Sequence, residues 1–490
     1  MTRFSGLRAC AGVLAAAALG ASSQVYAHDP PEVGRIAWAD ATRAVFQTER
    51  GFIVGDTEQR SYRWACVEGL HVQLGEEPGF VLLPNDVWMV STEHGLLTSS
   101  DQGCTWNLVE RFGSAVASAL AVAPDAPSHV FVSLAGAADG GLYESRDAGK
   151  SWNKRLHLAA DDYVAQIAIA PSEAARIYLS GLVIDEQTDK FSFQITRSSD
   201  GGTTWERAYI PLAADEDHAV LAAVSPVDPD TVLVLARNHR WGEAPDRALL
   251  SSDAGATYRE VARAVKLTGA AFGATGKTLM LASAENLTRI EVGDESAAAE
   301  LIGMSQMLSC AQSGPAGLYA CGHVNIYDPT VYGASISTDD GETWKSLMSF
   351  TEVKEKVNCS NDAVAKQCKD QWIDWQLEIL VGLGGAPIDS VDGWRDFRGI
   401  EEVPHPAPAH TLASARRSTG MPASAAAGSS GDAAADSSTS DTKPHGSSEN
   451  DADHGGCQNA HGAASQGYLW GVLALLWLRM QRLWRTRRYR

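Results

Sequence analysis

At 490 residues, 44% apolar and 20% charged, the chain can bury a large core as one big domain or two medium ones, which excludes a wholly disordered polypeptide. Its formal charge is −20, and removing the two arginines of the first 27 residues and the six of the last twelve leaves −28. Such a body repels phosphate backbones, so nucleic acid is excluded as a partner.

The first 27 residues carry Arg3 and Arg8, the apolar run "AGVLAAAALGA" and the small-residue end "VYA". That order is a secretory signal peptide, cleaved after Ala27; the rival reading is a buried N-terminal helix, since the run is too short to span a bilayer permanently. Cleavage would leave His28 at the new N-terminus, where amine and ring could chelate copper, but no second positioned histidine is identifiable. No cofactor and no metal are expected.

Between residues 28 and 350 one octet recurs: "SSDQGCTW", "SRDAGKSW", "SSDGGTTW", "SSDAGATY" and "STDDGETW", starting at Ser99, Ser145, Ser198, Ser251 and Ser337. Successive offsets are 46, 53, 53 and 86, and the last is twice 43, so a unit without the octet lies near Thr288–Glu295. Another weak unit precedes the first and ends at "YRWAC", with Trp64 in place of the octet tryptophan. Each unit reads as four short alternating runs every 40 to 50 residues, the pattern of a β-propeller blade. The expected fold is therefore all-β, a seven-bladed β-propeller. Within the octet, Ser and Asp can accept backbone N–H bonds to close a hairpin between third and fourth strands, Gly supplies a positive φ, and Thr-Trp starts the outgoing strand.

These residues resemble the Asp-box (BNR) repeat found in sialidases, xyloglucanase-type glycosidases, the sortilin receptor domain and photosystem assembly factors. The pattern is complete at Ser99, Asp101, Gly103, Thr105, Trp106, at Ser198, Asp200, Gly202, Thr204, Trp205, and at Ser337, Asp339, Gly341, Thr343, Trp344. It recurs with Ser151 for Thr in Ser145, Asp147, Gly149, Trp152, and with Tyr258 for Trp in Ser251, Asp253, Gly255, Thr257. The resemblance implies structural staples on the blade periphery, away from any active site.

Six cysteines lie outside the signal and the tail, an even number for an exported chain. Cys310 and Cys321 flank a short turn and are expected to pair across two strands, Cys359 and Cys368 likewise bracket a short loop, and by elimination Cys66 is expected to pair with Cys104, joining the outer strands of blades one and two. No pair has zinc-ligand spacing. Residues 351–400 mix helix formers with apolar residues and are expected to form a disulfide-bracketed helical extension docked on the propeller. Residues 401–466 are an Ala/Ser/Gly/Asp-rich stretch expected to be a disordered spacer.

The chain ends, over 467–490, in "GYLWGVLALLWL" and an arginine cluster. Twelve apolar residues cover about half of a hydrocarbon core. With Cys457 just upstream, this order resembles the MYXO-CTERM sorting signal of myxobacterial surface proteins, which implies cleavage near the cysteine and lipid-linked display at the cell surface; a plain tail anchor is the alternative. The envelope or outer surface is thus the expected location, with the membrane as partner through the tail.

No catalytic residue is identified. "GRIAW" places Arg35 and Ile36 only loosely on a sialidase arginine motif, and an ordinary residue at a strand start is the simpler reading of Arg35. Asp40, Asp161, Asp162, Asp215 and Asp217 are loop carboxylates, as chance provides among sixty acidic residues. The expected function is a monomeric, non-catalytic binding or scaffold module for an extracellular protein or glycan. A secreted glycoside hydrolase, sialidase-like or xyloglucanase-like, with its site in the propeller funnel is the alternative.

Overall fold

The computed structural model describes residues 31–382 and 412–413, apart from the short stretches 67–69, 71–78, 137–138, 160–161, 186–189, 239–243, 294–298, 303–307 and 323–332. The expected signal peptide, most of the expected spacer, Cys457 and the hydrophobic tail lie outside the described residues.

The described strands form seven sheets, each built on four consecutive antiparallel strands: blades 1 (33–65), 2 (79–108), 3 (117–157), 4 (163–209), 5 (218–264), 6 (267–302) and 7 (308–348). The first strand of each blade touches the first strands of its neighbours, and blade 7 meets blade 1, so a seven-bladed β-propeller closes around a central axis. The octets fall in blades 2, 3, 4, 5 and 7; blades 1 and 6 are the units without one.

The position of a strand in its blade explains its composition. Second strands are covered on both faces by adjacent blades, so they read as nearly unbroken apolar runs: Val87–Thr92, Val232–Arg237 and Thr278–Ser283 are buried almost throughout. Fourth strands lie on the periphery, and in blades 3, 4 and 5 they are polar and largely exposed: Asn153–His157, Glu206–Tyr209 and Arg259–Ala264. Seven hydrophobic clusters result, one in each interface between neighbouring blades.

In all five octets the serine hydroxyl donates to the aspartate Oδ1 at 2.8 Å. The same serine oxygen accepts the glycine N–H at 2.8–2.9 Å. The aspartate accepts the Thr or Ser N–H at 2.8–2.9 Å. It also accepts that residue's hydroxyl at 2.5–2.7 Å. The octet is thus a closed turn between third and fourth strands, as its residue types predict. The glycine has φ of 85–89°, and the residue before it is left-handed too, including Gln102, Ala148, Ala254 and Asp340. Trp64 of blade 1, within the fourth strand Ser61–Ala65, differs from Trp152, Trp205 and Trp344: they donate to the carbonyl of their own octet glycine at 3.0–3.2 Å, whereas it donates to the Arg50 carbonyl at 3.1 Å.

The cysteine pairing departs from expectation except at Cys310–Cys321, which face each other in register on the first two strands of blade 7. Cys66 bonds to Cys368 and Cys104 to Cys359. Neither Cys66–Cys104 nor Cys359–Cys368 forms, because the chain after blade 7 crosses back over the outer edge of blade 1. There Val353–Lys356 adds a parallel fifth strand to the fourth strand of blade 1, and the helix Asp362–Gly382 comes next. The helix docks as expected through Cys368, Trp375 and Ile379, all buried, with Trp372 and Trp375 stacked on each other at 5.2 Å and both against Trp64. Inside the expected spacer, Leu412–Ala413 pairs antiparallel with the fourth strand of blade 7, at Trp344 and Thr343.

Candidate functional site: the loop-rich face of the ring

Antiparallel order gives the ring two unlike faces. The turns joining first to second and third to fourth strands emerge on one face, which therefore carries every octet. The turns joining second to third strands and one blade to the next emerge on the other. The two widest spacings between successive described blade strands, Ala65 to Gly79 and Gly322 to Ala334, open on this second face, and in small-molecule or glycan sites of such scaffolds the loops supply the recognition groups.

The seven strands that ring the axis, Val33–Trp38, Gly79–Leu83, Ala117–Ala123, Tyr163–Ala170, His218–Val224, Leu267–Phe272 and Leu308–Gly314, contain no Asp or Glu. Any acid chemistry must come from the rim. Arg35, expected at a surface strand start, is half-buried inside the innermost strand of blade 1 and pairs in register with Gln47.

The loop carboxylates separate by face and partner. Asp40 belongs to the octet face: it closes the first turn of blade 1, accepting the Thr42 and Arg43 N–H groups and pairing with the Arg43 guanidinium, and the Arg43 backbone and side-chain bonds hold its carboxyl down at about 2. Asp162, Asp215 and Asp217 are on the loop-rich face, and Asp161 lies outside the described residues. Asp162 is buried and pairs with Arg207 at 3.1 Å. Next to Asp215, Glu216 is gripped by both Nε and Nη2 of Arg247, at 2.5 and 2.6 Å. Burial pushes the Glu216 carboxyl up, but the bonds from Arg247 and the Ala213 N–H outweigh it and leave it lowered. Asp162 and Glu216 are committed to holding the rim together.

A second repeated turn, which the octet pattern overshadows in the sequence, lies on this face. Blades 1 and 2 join second to third strand through Thr48-Glu49-Arg50-Gly51 and Thr92-Glu93-His94-Gly95, 44 residues apart. In each, the threonine hydroxyl donates to the glycine carbonyl, at 2.8 and 2.9 Å, and accepts the N–H of the third residue. The glycines have φ of 134° and 133°, a region open to glycine. Adjacent blades therefore present a glutamate followed by a basic residue, arginine or histidine, in the same geometry on the loop-rich face. The signal that could have found them is the near-identity of "TERG" and "TEHG".

The two exposed large aromatic side chains among the described residues, Phe191 (50%) and Tyr209 (68%), sit at the loop-rich ends of the third and fourth strands of blade 4. Aromatic faces of this kind suit the apolar faces of sugar rings. Among the described residues no group of three or more His, Cys, Asp or Glu side chains is gathered to hold a metal ion.

No protein-family model matches the chain. A probable oligoxyloglucan-reducing end-specific xyloglucanase of Neosartorya fischeri is 26% identical over 220 residues, covering 37% of this chain and 26% of that enzyme. The chain thus spans about a quarter of that relative's length. Among solved structures, an ancestral GH74 enzyme aligns with 13% identity and a TM-score of 0.45 over 65% of this chain and 50% of its own. The GH74 xyloglucanase of Xanthomonas campestris aligns with 15% identity and a TM-score of 0.41 over 65% and 60%.

Proposed function

We propose that the chain is an exported glycoside hydrolase acting on a β-glucan of the xyloglucan class, with the polysaccharide lying across the loop-rich face. The observation that carries this reading is the 220-residue similarity to the Neosartorya xyloglucanase. The exposed Phe191 and Tyr209 support a sugar ligand, and three disulfides agree with an oxidising, extracytoplasmic compartment. Hydrolysis needs two carboxylates roughly 5 to 10 Å apart, one as acid and one as base or nucleophile. The innermost strands supply none, so the pair is sought in the turns, first at Glu49 and Glu93.

The test is release of reducing ends from xyloglucan and its oligosaccharides by the purified chain, beside Glu49→Gln and Glu93→Gln. Each substitution is expected to lower kcat by about 100-fold or more with unchanged melting. The second reading, a non-catalytic glycan- or protein-binding scaffold, is favoured by the absence of carboxylates from the seven innermost strands; binding of xyloglucan without turnover in the unsubstituted chain would establish it and sink the hydrolase.

The five octets support assignment to the Asp-box repeat group. Surface attachment through the C-terminal tail, by lipid after cleavage near Cys457 or as an anchor, belongs to the same proposal. Fractionation of the full chain beside one lacking residues 457–490 checks it, with release of the shortened form into the soluble fraction as the expected result.

A further inference from the structure

Among the described residues each blade is made of its own four consecutive strands, and blade 7 holds no strand from before blade 1. The seam between blades 7 and 1 has a hydrophobic cluster and, toward the axis, a small set of polar and aromatic links. Gln312 accepts the Ile36 N–H at 3.0 Å and donates to the Ile36 carbonyl at 2.7 Å, Ser309 donates to the Val33 carbonyl at 2.7 Å, and Trp38 packs on Tyr319 at 4.8 Å.

Beyond blade 7 the chain crosses this seam. Ser349 and Glu352 form a reciprocal cap, Arg60 of blade 1 grips Glu352 with Nε and Nη2 and reaches the Ser346 carbonyl of blade 7 at 3.1 Å, and Tyr62 donates to the Leu347 carbonyl at 2.6 Å. The chain then runs beside blade 1 as Val353–Lys356, is fixed to the blade 2 octet through Cys359–Cys104, and returns as the helix fixed to the end of blade 1 through Cys368–Cys66. One segment of about thirty residues, continuous with the last blade, therefore ties it to the first and second through two disulfides.

We infer that residues 349–382 are the clasp of the propeller, and that breaking Cys66–Cys368 and Cys104–Cys359 opens the ring at the seam between blades 7 and 1 while the five interfaces the clasp does not touch stay shut. A dithiol reductant would do this by exchange: each disulfide becomes two thiols as the dithiol is oxidised to its cyclic disulfide. The seam cluster draws Phe350, Val353, Cys368, Trp375 and Ile379 from the clasp, and the cluster between blades 1 and 2 draws Val357, whereas the other five interfaces are built without it.

Hydrogen exchange on the full chain tests this, using a variant with Cys66, Cys104, Cys359 and Cys368 all changed to Ser. Amides of the seam strands Val33–Trp38 and Leu308–Gly314 are expected to exchange about ten-fold faster or more, and those of Tyr163–Ala170 and His218–Val224 on the far side of the ring to stay within about two-fold. Unchanged seam exchange overturns the inference, and so does equal acceleration in every blade. If the variant yields no folded protein, the oxidised chain treated with dithiothreitol in native buffer gives the same reading, and loss of all protection together again overturns it. A Cys310→Ser, Cys321→Ser variant, whose bridge lies within blade 7, is expected to leave Val33–Trp38 unaffected.

Discussion

Each octet aspartate accepts a hydroxyl and a backbone N–H from one residue and a second hydroxyl from its serine, an arrangement that needs the ionised carboxylate. Bonds from Ser151 hold Asp147 at about 2, and those from Thr257 hold Asp253 at about 2. At Asp101 and Asp339 burial pushes upward, yet the same bonds outweigh it and leave both lowered. A depressed folded-state pKa contributes stability above the unfolded value near 4 and loses it as the folded pKa is approached. The urea midpoint is therefore expected to be level above about pH 4 and to fall between about pH 4 and 2; Asp147→Asn with Asp253→Asn should lower the plateau and flatten that fall. The octet aromatics are not equivalent: Trp344 is fully buried, whereas Trp205 is half-buried. Trp344→Ala is expected to cost about 3–5 kcal/mol in denaturant unfolding and Trp205→Ala distinctly less. The octet could be read from sequence because all its bonds close within eight residues. Cysteine pairing could not, since what brings Cys359 to Cys104 is the path of a strand 255 residues later in the chain.

Between elements, the octets do a second job that eight residues cannot disclose. Arg155 donates to the Gly201 carbonyl at 2.7 Å, Arg197 to Ala254 at 2.7 Å and Arg289 to Asp340 at 3.2 Å, in each case from one blade to the fourth octet position of the next. That residue is left-handed in every octet, which turns its carbonyl outward to the neighbouring blade. Each arginine is steadied by a carboxylate of its own blade: Glu144, Glu206, or Glu291 with Glu300. Arg289→Ala is expected to lower the melting temperature by several degrees, whereas Arg263→Ala, which loses an exposed pair with Glu260, should change it by less than about one degree. The strand pattern was legible because its periodicity is local to each blade. The rim turns of blades 1 and 2 were legible in principle, but two copies of a tetrad carry less signal than five of an octet.

At the scale of the molecule, the count of seven blades follows from spacing alone, since a blade takes a nearly fixed length of chain and a missing octet leaves a gap of twice that length. The return of the chain over blades 1 and 2 was invisible, because no residue type marks a parallel strand added at an edge. In the chain-entropy description the two clasp disulfides, closing loops of 302 and 255 residues, each restrict the unfolded chain by up to about 5–6 kcal/mol. Full reduction is accordingly expected to shift the guanidinium midpoint down strongly, and replacing Cys310 and Cys321, only 11 residues apart, to shift it less.

The self-contained blade has a consequence for how such a ring can change over time. Because no blade is split between the two ends of the chain, copying a stretch of coding sequence equal to one unit adds a whole blade, with its octet turn on one side and its own rim turns on the other. The octet side must keep fitting its neighbours, so drift there is restrained; the opposite side can lengthen loop by loop. Divergence in ligand is thus channelled to one side of the disc, and growth in blade number is checked by the reach of the segment that must still span from the last blade to the second.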